Sequence, residues 1–101
     1  MDVFEWLFSI EDKVVFVVGS TDLKDLRNVI NGFLEAKRFV HHDYSNPFFP
    51  GFQRYVEKEY NVYQNTAKGW NTLITEHSIN EEHALSTFYL LIHRYHLSLL
   101  K

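Results

Sequence analysis

Ser78-Ile79-Asn80-Glu81-Glu82-His83-Ala84-Leu85-Ser86-Thr87-Phe88-Tyr89-Leu90-Leu91-Ile92-His93-Arg94-Tyr95 carries the strongest periodicity in the chain. Ala84, Leu85, Phe88, Leu91, Ile92 and Tyr95 recur at the 3.6-residue spacing of an amphipathic helix. Its start is marked as well. Ser78 and Glu81 offer a capping box, or Asn80 caps directly with Glu81 and Glu82 in the first turn. A helix of this strength needs apolar faces to pack on, and the upstream sequence supplies them.

Immediately before it, Trp70, Leu73, Ile74 and His77 make two helical turns, preceded by a polar, irregular stretch from Asn61 to Gly69. Pro50 suits the first turn of a helix carrying Phe52, Tyr55, Val56 and Tyr60. His41 to Gly51 is rich in breakers and reads as a loop. Leu23, Leu26, Ile30, Phe33 and Leu34 predict a helix to about Phe39, with Thr21 as its cap and Asp22 and Asp25 near its positive end. Gly32 inside that helix costs roughly 1 kcal/mol against Ala, which predicts close packing of another element there. Residues 2–10 form a further helical stripe through Val3, Trp6, Leu7 and Ile10. Lys13-Val14-Val15-Phe16-Val17-Val18-Gly19-Ser20 has strand composition but no partner strand, so it reads as an extended plug or a tiny two-stranded patch. The expectation is an all-α fold: a compact bundle of about five helices with one short strand-like segment near residues 14–18, in one domain spanning 1–101.

Composition agrees with a folded domain and narrows its chemistry. The 101 residues are 46% hydrophobic and 17% aromatic, enough apolar surface to offset chain entropy. The absence of cysteine excludes disulfides, thiolate metal sites and cysteine nucleophiles. No apolar run approaches the roughly 20 residues that span a bilayer, and the N-terminus carries acids where a signal peptide needs bases, so a cytoplasmic protein without membrane contact is expected. Net charge is −3, and residues 1–25 hold six acids (Asp2, Glu5, Glu11, Asp12, Asp22, Asp25) against Lys13 and Lys24. That distribution suits a basic partner and lacks the basic stripe by which proteins bind nucleic acid directly.

Catalytic and metal-binding patterns are weak. His93 and His96 adjoin on one helix face, but no carboxylate stands one turn away to complete a ligand set. His41-His42-Asp43 lies in a loop, where neighbouring side chains rarely converge on one ion. Arg38 and His42 resemble the arginine–histidine pair of the helical HEPN ribonucleases, at a spacing one residue short of that pattern and with Phe39 in place of the usual polar residue. Gly19-Ser20 is a weak phosphate-loop signal beside Asp22 and Asp25, which repel anions. The expectation is a protein that is not an enzyme and uses neither cofactor nor metal.

The order of motifs does resemble a known family. An apolar run ends in Gly19, a helix reads Leu23-x-x-Leu26 and closes on Asn31-Gly32-Phe33, and Phe52-x-x-Tyr55-Val56 follows. Then come Gly69-Trp70-x-x-Leu73-Ile74 and Glu82-x-Ala84-Leu85-x-x-Phe88-x-x-Leu91. This order resembles small bacterial immunity proteins of the contact-dependent growth inhibition type, over about residues 13–95. The family often has Pro-Gly-Met-Tyr before the glycine, where Val15-Phe16-Val17-Val18 stands here. The resemblance implies a noncatalytic monomer that binds one cognate toxin C-terminal domain, a basic nuclease and foremost a ribonuclease, as a one-to-one heterodimer. Carboxylates would mimic the phosphate and aromatic residues would anchor the complex. Candidate contacts are Glu11, Asp12, Asp22 and Asp25 around the strand-like segment, Asp43 and Tyr44 in the first loop, and Glu57, Tyr60 and Tyr63 near the second. A helical adaptor for a housekeeping protein is the alternative, and a small HEPN-like ribonuclease a more distant one.

Overall fold

A computed structural model describes residues 2–40, 48–62 and 68–100. They form six α-helices and no strand: α1 (Val3–Ser9), α2 (Val14–Val18), α3 (Leu23–Val40), α4 (Phe48–Glu59), α5 (Trp70–Glu76) and α6 (Glu81–Leu99). The fold is all-α. Two compact units divide the chain, Met1–Asn46 with α1 to α3 and Pro47–Lys101 with α4 to α6.

In the first unit, α1 and α2 pack on α3. Asp2 caps α1 by accepting the Glu5 N–H at 2.8 Å, and Val3, Phe4, Leu7 and Ile10 turn inward. They meet the α3 stripe of Leu23, Leu26, Ile30 and Leu34, whose spacing holds one helix face over three turns. Trp6 stacks on Phe33 at 5.4 Å between ring centroids. Asp22, rather than Thr21, caps α3: its carboxylate accepts the Lys24 N–H at 2.9 Å and its carbonyl begins the helical ladder.

The strand expectation for residues 14–18 is corrected, because this segment is a helix, α2, additional to the five expected. Among the described residues no strand offers it a ladder, so helical bonds are what satisfy its backbone locally. Phe16 and Val17 donate to the Lys13 carbonyl, and Gly19 donates to Val15 at 2.8 Å. Gly19 ends the helix in the left-handed region at φ 86°, a conformation open to glycine at little cost. A buried strand would hide alternate side chains. Here only Val14 is fully buried, and Val15, Phe16 and Val17 face solvent.

In the second unit α4, α5 and α6 pack on one another around an aromatic cluster. Phe52 lies 5.3 Å from Trp70 and 5.7 Å from Phe88, both edge-on, while Trp70 stacks on Phe88 at 5.1 Å. α4 begins at Phe48, earlier than the breaker-rich sequence suggests, with Pro50 in the first turn where its missing N–H is tolerated. Gly51 is therefore helical, and it is the tightly packed glycine: the Tyr95 hydroxyl stands where a Cβ would be, so a side chain there would collide. Gly32, expected to mark such a contact, has nothing within 4 Å of a modest side chain's first atom.

Candidate protein-binding surface

α2 and the two turns that flank it make the most distinctive surface of the first unit. Phe16 is 91% exposed, Val15 50% and Val17 46%, three successive apolar side chains on one short helix. Val14 roots the helix in the core and Gly19 fixes its end, so the exposed residues are carried on an ordered element. Leaving them in water has no folding benefit, and exposed apolar surface of this kind marks interaction sites.

Charge frames the helix. Glu11 and Asp12 occupy the turn before it and are exposed; Asp22 is half-buried and Asp25 exposed after it. Five helical residues rise only about 7.5 Å. The carboxylates therefore flank a short element, one pair before it in the chain and one pair after it. Four carboxylates against Lys13 and Lys24 leave this frame negative. Asp22 has a structural duty as the α3 cap, so Glu11, Asp12 and Asp25 are the frame's outward members.

The remaining candidates divide differently. Glu57 and Tyr60 belong to the second unit and make contacts within it. Gln53 donates to Glu57 at 3.1 Å, and Tyr60 stacks on His77 at 4.2 Å with the rings nearly parallel. Burial, reinforced by the neighbouring Glu59 charge, pushes the Tyr60 phenol above its ordinary value of 10.0. Asp43, Tyr44, Tyr63 and His42 lie outside the described residues. Arg38 pairs with Glu35 at 3.3 Å on the α3 surface. Tyr89 is buried against Phe88.

Among the described residues, no three His, Asp or Glu side chains converge in a way that holds a metal ion. Nor, among the described residues, is any helix long and apolar enough to cross a membrane. A groove of about 260 Å³ runs beside α3, lined by Phe33, Ala36, Lys37 and Val40, with the Lys37 ammonium 5.7 Å from the Phe33 ring. It is apolar with a cationic edge, opposite in sign to the α2 frame.

Sequence reasoning misses Val15, Phe16 and Val17 as an exposed surface, because their β-branched composition reads as an extended plug or a small two-stranded patch. The signal was nonetheless present: five apolar residues between acids and a Gly-Ser-Thr-Asp stop, with no second run to pair with. No family model, curated protein or solved structure matches this chain.

Proposed function

We propose that this chain is a noncatalytic inhibitor that acts in the bacterial cytoplasm, binding the basic nuclease domain of a cognate toxin one-to-one and covering its phosphate-holding surface. The observation that carries this reading is the negative frame of Glu11, Asp12 and Asp25 around α2. A ribonuclease must be positive where it grips RNA, and clustered carboxylates compete for those cations. Long-range attraction between the two surfaces would speed capture, which matters for an inhibitor that must reach the toxin before its substrate does. Glu57 and Tyr60 serve the cohesion of the second unit, which favours the first unit as the binding face. The resemblance to growth-inhibition immunity proteins supports the same partner.

The test uses the toxin domain encoded in the adjoining reading frame. Co-expression should restore growth, and the purified chain should stop RNA cleavage. Reversal of Glu11, Asp12 and Asp25 to lysine should slow association about tenfold or more at low salt and flatten its salt dependence, while the melting temperature falls by only a few degrees because Asp25 leaves the first turn of α3. An unaltered on-rate would remove the acidic frame from the interface. A housekeeping protein bound instead, with the toxin domain ignored, would favour the adaptor reading.

A further inference from the structure

We infer that α2 is the anchor of that interface: Phe16, with Val15 and Val17 beside it, inserts into an apolar pocket on the toxin domain whose rim is lined with Lys and Arg. The inference rests on the inhibitor reading and adds to it the element that holds the complex once charge has assembled it.

Three observations point the same way. Phe16 is almost wholly exposed, so nearly its full aromatic surface is available to a partner. Its helix is held at both ends, by buried Val14 and by the left-handed Gly19, so docking orders little that is not already ordered. Glu11 and Asp12 precede the apolar tip in the chain and Asp22 and Asp25 follow it, so negative charge lies on both sides of a central anchor along the sequence. Other exposed apolar side chains lack this combination. Leu90, Leu97 and Leu100 have no Asp or Glu after them in the chain, and the α3 groove carries a cation. Ile79, between Glu76 and Glu81, is a single apolar residue whose neighbour Glu76 is already paired with Lys68 at 2.8 Å.

Charge also selects the occupant. A second copy meeting this face with the same face would bring one negative frame against another, which is repulsive; a basic protein surface is complementary. The rim and the anchor should then divide the kinetics. Carboxylates govern how fast the partners meet, and Phe16 governs how slowly they part.

The experiment measures binding of the full chain to the adjoining-frame toxin domain by surface plasmon resonance across salt concentrations. F16S should raise Kd about thirtyfold or more, almost entirely through faster dissociation, and leave the salt slope of association as in the wild type. Because Phe16 makes so few internal contacts, its melting temperature should stay within about a degree of wild type. The F16W variant should retain most of the affinity. Equal Kd for F16S and wild type overturns the α2 anchor and leaves the inhibitor reading standing. A wild-type chain that fails to bind the toxin domain overturns both. Sedimentation showing a wild-type dimer that F16S converts to monomer also overturns the inference, since the occupant would then be a second copy.

Discussion

A side chain placed on Gly51 would collide with the Tyr95 phenol, whereas one on Gly32 would meet open space. In sequence the two glycines suggest the opposite, because Gly32 sits inside a clean helical stripe and Gly51 among breakers. The consequence is measurable by urea unfolding. Gly51→Ala should destabilise by about 1–3 kcal/mol, because the Tyr95 ring is pinned between Phe52 and Tyr55 and has little room to retreat. Gly32→Ala should instead stabilise by about 0.5–1 kcal/mol, the helix-propensity difference at an exposed site. Equal effects at the two positions would contradict this packing. Asp22 and Asp25 divide in the same manner. Asp22→Ala removes a cap and should cost about 1 kcal/mol, while Asp25→Ala loses only its attraction to the helix dipole and should cost about 0.3 kcal/mol. The carboxylates are alike in sequence, and only hydrogen-bond geometry separates the structural one from the outward ones.

At the level of elements, α5 shows how a short helix with a poor cap is held. Its N-cap is Gly69, which has no side chain to offer. Gln53 on α4 substitutes: its Oε1 accepts the Trp70 N–H at 2.7 Å, while its Nε2 donates to the Lys68 carbonyl and to Glu57, each at 3.1 Å. Gln53→Ala should therefore cost about 1–2 kcal/mol and speed amide exchange in α5 more than in α6. Exchange unchanged in α5 would mean that packing alone holds it. The start of α6 was legible down to its two options, and Asn80 is the one used. Its side chain accepts the His83 N–H at 2.8 Å, and His83 Nδ1 in turn accepts from Ile79 at 3.0 Å. Ser78 turns back to donate to the Ile74 carbonyl at 2.6 Å, so the Ser78–Glu81 box does not form. α2 was not legible as a helix. Five residues contain too little periodicity to separate helix from strand, and β-branched composition then dominates the reading.

For the whole molecule, alkaline pH is the informative perturbation. Burial raises the phenols of Tyr60 and Tyr95 above 10.0 in the folded chain. Below that value both are protonated folded and unfolded, and they add no pH dependence. Above it the unfolded chain releases protons that the folded chain keeps, so stability falls as pH rises. The urea midpoint should hold steady up to about pH 9 and drop by about pH 11, less so in a Tyr60→Phe, Tyr95→Phe variant. Identical drops in the two proteins would assign the loss to other groups.

The sequence by itself determined the all-α class and five of the six described helices, because two turns or more repeat the apolar residues often enough to declare a face. It also located the acidic quarter, since charge needs no geometry to be counted. Tertiary structure alone decided which glycine is compressed, which aspartate caps, and that Val15, Phe16 and Val17 face outward. Each of these depends on what stands opposite a residue in space, and neighbours along the chain do not specify that.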